Sequence, residues 1–151
     1  MSGYSLLKFV HVALAIVAIG LNVSYGLWLR RAAAEPEHAG HVLRGIKTLD
    51  DRFATPAYVL LLFTGFGLLF LGDIPITTFW ILATLVLYVG VVVGGMIFYT
   101  PTLRGQTRLA EEGKSDSDEY KRLAKRGTAV GAVISAIVFA IEFLMVTKPT
   151  L

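Results

Sequence analysis

Apolar residues run together in four blocks along the chain, at about 5–29, 56–72, 78–99 and 128–147, and polar residues collect between them. Neither the two-residue alternation of a half-buried strand nor the mixed pattern of a soluble helix produces blocks of this kind. A helix needs about 20 residues to cross the hydrocarbon, with about 17 near the short end. The second block only just meets that length. It is expected to gain residues on its amino side from Asp50–Thr55, or to tilt less than its neighbours. The pattern predicts an all-α integral membrane protein: one antiparallel four-helix bundle over residues 1–151, with two polar connecting segments.

The polar segments carry their own signals. In the first, Pro36 suits a first helical residue, and His38, His41, Val42, Gly45 and Leu49 follow at helical spacing. A short amphipathic helix is expected there, ending near Leu49–Asp51, with Thr55-Pro56 restarting the second span. In the second, Pro101 is expected to break the helix, and a polar stretch runs through Gly113-Lys114-Ser115. Asp116 with Glu119 three residues later resembles a capping box, and from Ser117 a helix can run through Lys125-Arg126 into the fourth span. Small residues recur at close-packing intervals: Gly127, Gly131 and Ser135; Gly90 and Gly94; Thr64-Gly65 with Gly67. Such residues let helices approach, or clear room for a flat cofactor.

Charge adds a direction. The chain holds 14 Lys and Arg against 11 Asp and Glu, a net charge of +3, and the basic residues gather in the two polar segments. The short link between spans two and three carries only Asp73. By the positive-inside rule both basic segments are cytoplasmic, and the two termini face outward with the Asp73 turn. Lys121, Arg122, Lys125 and Arg126, at the mouth of span four, are expected to meet anionic lipid headgroups. Nucleic-acid binding is excluded, because the aromatic and groove-reading features it requires are missing. Cysteine is absent, which excludes disulfides, thiolate metal sites and cysteine nucleophiles. Ala32-Ala33-Ala34 resembles a signal cleavage site, but Arg30 and Arg31 lie between it and the apolar run, so an uncleaved span is expected.

Glu142 and His11 are ionisable residues set deep in apolar blocks. Glu142 lies in the middle of Gly131–Val146, and His11 lies in span one; such residues are costly in a bilayer and mark partners or function. On span one, Tyr4, Lys8, His11, Ala15, Ala18, Asn22 and Tyr25 form a single seam that must face protein. On span four, Thr128, Gly131, Ser135, Val138, Glu142 and Met145 do the same. Depth from the helix ends puts His11, Glu142 and Thr84 on one level, with Lys8 a turn above, Trp80 above Thr84 and Tyr88 below it.

Three roles fit that cluster. Glu142 pairs with Lys8 or His11 and pins helix four to helix one. Alternatively, His11 ligates a haem iron, with Lys8, Thr84 and Glu142 around the cofactor or its propionates. A single intramembrane histidine supplies one axial position, so a two-histidine cytochrome within one chain is excluded. The third role is a proton-handling or quinone-contacting pair with His11 as relay. Outside the spans, His38 and His41 beside Glu35 and Glu37 are a further, weaker metal-binding arrangement.

Several of these residues are also the basis of a resemblance. Leu6-Leu7-Lys8-Phe9-Val10-His11, Asp51-Arg52 before Pro56, Thr64-Gly65, Pro101 and Leu144-Met145-Val146-Thr147-Lys148-Pro149 are similar to predicted bacterial integral membrane proteins of unknown function with four spans. More remotely the chain resembles copper-resistance-D membrane proteins and HemJ-type protoporphyrinogen oxidases, which also begin with a histidine-bearing span. The resemblance implies a multi-pass protein of the bacterial inner membrane and, through the HemJ-type relatives, haem or porphyrin handling at His11. Copper handling is disfavoured by the absence of cysteine and the scattered methionines. The functional expectation is a small redox-associated membrane protein holding a haem or porphyrin through His11. Its rival is a non-enzymatic accessory subunit of a larger respiratory or photosynthetic complex, or of a homo-oligomer.

Overall fold

The computed structural model describes residues 2–149. Four helices long and apolar enough to cross a membrane account for nearly all of them: α1 (Gly3–Ala34), α2 (Pro36–Leu71), α3 (Phe79–Glu111) and α4 (Asp118–Thr147). The chain is all-α, with no strand among the described residues. At 1.5 Å per residue each helix is about 45–54 Å long, well beyond the roughly 30 Å of hydrocarbon. The excess length lies at the end of the bundle that carries the basic segments.

The capping signals act locally as the side chains allow. Ser2 stands in extended conformation before α1 and its hydroxyl accepts from the Ser5 N–H. Ahead of α4 the cap is Ser117, not Asp116: Ser117 is extended and its hydroxyl accepts from the Tyr120 N–H. Asp118 and Glu119 then fill the first turn, where carboxylates complement the helix dipole. As the sequence predicts, α4 runs unbroken through Lys125-Arg126.

The two expected breaks do not occur. Neither Thr55-Pro56 nor Thr100-Pro101 interrupts its helix, because each proline follows a π-helical turn, Asp50–Ala54 in α2 and Gly95–Tyr99 in α3. In these turns the Thr55 N–H bonds to the Asp50 carbonyl and the Thr100 N–H to the Gly95 carbonyl, a five-residue step. Proline lacks an N–H and its ring clashes with the carbonyl four residues back. A wider turn just before the ring relieves that clash and lets the helix continue. The amphipathic segment from Pro36 is therefore the start of α2 and not a separate helix. The polar stretch after Pro101 is helical to Glu111.

Helix α1 packs along the membrane-crossing part of α2 (Thr55–Leu71) and against α4, and α3 packs along α4. The upper segments Thr55–Leu71 and Phe79–Gly94 pack mainly on α1 and α4 respectively and meet each other little. At the basic end the lower segments of α2 and α3 do meet. There Tyr25, Ala32, Ala39, Leu43, Ile46, Leu103, Leu109 and Tyr120 form the main buried cluster. The placement follows from the solvent: burying leucine is favourable against water but nearly neutral against lipid tails. The bundle thus has a close-packed head beyond its spans, where the sequence pattern suggests mere connections. Ion pairs such as Arg44–Glu111 at 2.9 Å and Arg31–Glu35 at 3.5 Å decorate the surface of this head. Of the small residues, Gly65, Gly67, Gly127 and Gly131 face close neighbours, whereas Gly90 faces open space.

Candidate functional site

His11 does not meet an acid. Its Nδ1 lies 2.7 Å from the hydroxyl of Thr64 on α2. That hydroxyl also lies 2.7 Å from the Leu60 carbonyl, which can only accept, so its one proton goes there. Thr64 therefore accepts from His11 Nδ1–H, and the tautomer leaves the Nε2 lone pair free. The next residue is Gly65: a Cβ there would stand 3.4 Å from His11 Cε1. Thr64 and Gly65 together fix the ring's angle and give it room.

His11 lines a cavity of about 470 Å³ in the half of the bundle nearest the termini. Lys8, Thr84, Glu142, Trp80 and Tyr88 line the same cavity, so the side chains that periodicity and depth predict to converge are brought together. No ion pair within 4.0 Å joins Glu142 to Lys8 or His11 among the described residues. Glu142 is half-buried and Lys8 is exposed at the rim. A pin between helices one and four is thus replaced by a hydrogen bond between helices one and two. Thr84 is 5% exposed and its hydroxyl has no partner. By contrast Thr64, Thr102, Thr107, Thr128 and Thr147 each return a hydrogen bond to the carbonyl four residues back. Lys148, in left-handed conformation after α4, reaches over the Trp80 ring at 5.5 Å and adds a second cation to the rim.

The floor of this cavity is polar. Asn22 donates through Nδ2 to the Tyr58 hydroxyl and to the Ala18 carbonyl at 3.2 Å. Tyr88 donates its hydroxyl proton to the Tyr58 carbonyl at 2.7 Å. Beneath the floor lies a second cavity of about 720 Å³, which Tyr58, Tyr88 and Val91 share with the first. The seams of α1 and α4 line both: Ala18, Val138 and Glu142 above, Asn22, Tyr25 and Ser135 below. Sequence reasoning places the seams but misses the lower cavity, as well as the roles of Thr64 and Lys148. Thr64 could have been found by depth, because it sits about as far from the shared end of the bundle as His11.

The other predicted positions are peripheral. His38 and His41 are exposed, with His38 Nε2 3.8 Å from Glu37. No group of three or more metal-ligating side chains gathers among the described residues. Lys121, Arg122, Lys125 and Arg126 are all exposed at the start of α4, and Arg126 lies 6.0 Å from the Phe98 ring centroid.

A family model described as a predicted integral membrane protein (DUF2269) matches residues 5–149. No curated protein and no solved structure matches the chain.

Proposed function

Since the chain belongs to this family of predicted integral membrane proteins, we propose that it is a small redox-associated protein of the bacterial inner membrane that holds a haem or porphyrin in its upper cavity. The observation that carries the reading is the Thr64–His11 hydrogen bond, which leaves Nε2 unprotonated on a histidine that lines the cavity. Metal-bound histidines characteristically donate their other N–H to a neighbouring acceptor, which fixes the tautomer and raises ligand basicity. The cavity's volume falls in the usual range for small-molecule sites, about 300–1,000 Å³. Its lining is largely apolar, as a porphyrin ring requires. Lys8 and Lys148 at the rim would meet propionate carboxylates, Thr84 has a hydroxyl to offer, and Glu142 supplies a carboxyl beside them. Haem held by His11 would supply one-electron chemistry.

The test is a spectrum. Protein purified in mild non-ionic detergent, with haem added if needed, should show a Soret band that His11→Ala removes. A preparation that stays colourless and porphyrin-free would overturn the reading. Co-purification with a larger complex, its spectrum unmoved by His11→Ala, would instead favour the accessory-subunit role.

The proposed orientation places the basic head in the cytoplasm and the upper cavity on the far side, and it rests on the Lys and Arg of the head. Cysteine introduced at Ser115 should resist a membrane-impermeant thiol reagent in spheroplasts and react after lysis. Ready labelling before lysis would reverse the topology.

A further inference from the structure

The lower cavity has a chemistry of its own. Its lining is mostly aliphatic, from Val59, Val91, Val92 and Ile134 among others, but four tyrosines border it: Tyr25, Tyr58, Tyr88 and Tyr99. Tyr25 is 4% exposed, and its hydroxyl has no hydrogen-bond partner. A buried hydroxyl left unpaired costs about 1–3 kcal/mol, so an orphan on a residue that borders a cavity calls for a partner there, reached by a small shift of the ring.

Among the described residues the only carboxylate on the lining is Asp50. It is half-buried and lies within electrostatic reach of Tyr25, Tyr58 and Tyr99. Its neighbour Asp51 is taken by Lys47, which also lies within electrostatic reach of Asp50, but Asp50 itself forms no ion pair within 4.0 Å among the described residues. Arg30 also lines the cavity, yet its side chain is exposed and not paired with Asp50. Both π-helical turns border this space, one contributing Asp50 and the other Gly95, Met96 and Tyr99. Such turns concentrate at functional sites because they re-aim side chains within a helix.

A carboxylate without an ion-pair partner, several tyrosine rings and an apolar lining are together the recognition chemistry of an organic cation. We propose that the lower cavity is a binding site for an amphiphilic ammonium. Its charged head sits between the Asp50 carboxylate and the Tyr25 hydroxyl, which accepts an N–H, and its apolar body lies among the spans. The proposal does not depend on haem binding above the tyrosine floor.

The probe is monodansylcadaverine, a primary amine on an apolar fluorophore, titrated against the full chain in non-ionic detergent. Its N-acetyl derivative, the same body without the charge, is the control. Saturable fluorescence enhancement is expected for the amine, with at least about tenfold weaker binding of the acetylated form. Asp50→Asn should weaken the amine at least about tenfold and Tyr25→Phe about fivefold. His11→Ala should leave its affinity unchanged. Equal binding of both probes, or an unaltered affinity in Asp50→Asn, would overturn the proposal. If Asp50→Asn fails to fold, Tyr25→Phe decides, and wild-type affinity there overturns it. Nanodiscs separate two sources of ammonium. Weaker probe binding in phosphatidylethanolamine than in pure phosphatidylglycerol identifies a lipid headgroup as the occupant, and equal binding identifies a diffusible amine; either result supports the ammonium site.

Discussion

Leu43→Ala is expected to destabilise the protein by about 2–5 kcal/mol, the range for emptying a well-packed leucine site. Leu43 is 0% exposed and belongs to the cluster of Tyr25, Ala32, Ala39, Ile46, Leu103, Leu109 and Tyr120 that joins all four helices at the basic end. Its burial is driven by water, so truncation loses transfer free energy and leaves a cavity between helices with little freedom to collapse. Phe70 is the opposite case: it is larger but 86% exposed on the membrane-crossing part of α2. Phe70→Ala should cost no more than about 0.5 kcal/mol, as surface changes usually do. Helicity followed during thermal unfolding in one detergent would rank the two variants. A larger loss from Phe70→Ala would mean that the spans, and not the head, hold the fold together.

The second large effect is expected at Thr64, and it separates ligand from support. Thr64→Val keeps the shape of the side chain but removes the acceptor for His11 Nδ1–H. The imidazole then loses its fixed tautomer and its aim, while Nε2 survives as a ligand. Losing such a support typically weakens metal binding about 10–100-fold. Haem retained by Thr64→Val should therefore be displaced far more readily by a competing haem-binding protein, with a shifted Soret maximum. Thr64→Ser restores a hydroxyl at the same place and should recover most of the retention. Equal retention by valine and serine variants would show that this hydrogen bond does not govern the ligand.

The spans, their number and the two polar seams were legible because lipid imposes a simple rule: apolar length for crossing, polar groups turned inward. The convergence of His11, Thr84, Glu142 and Lys8 on one cavity followed from periodicity and depth alone. Their pairing did not. Charge attraction suggested Lys8 or His11 as the partner of Glu142, whereas a neutral threonine on the adjacent helix satisfies the His11 ring without burying an ion pair, which is costly to desolvate. The two prolines misled for a related reason. Reading Thr55-Pro56 as a restart and Pro101 as a break assumes an α-helical turn upstream, and a π turn has no composition of its own to betray it. The head core was hidden as well, since Leu43, Ile46, Leu103 and Leu109 sit in segments too polar on average to look like an interior. The lower cavity borders both π turns, so only its seam residues, Asn22, Tyr25, Thr128, Gly131 and Ser135, were legible.

The two π turns also couple the halves of the molecule in angular phase. Each adds one residue to a turn, and so rotates everything beyond it by about 100° relative to an unbroken α-helix. With that offset, α2 can present Thr64 and Gly65 to His11 in the bilayer and Leu43 and Ile46 to the head core. Deleting one residue from 50–54 would restore a regular ladder yet swing one of those two faces out of register. The length of each turn is therefore a fixed quantity of the fold, and the membrane half and the head can only drift in sequence with their rotational offset preserved.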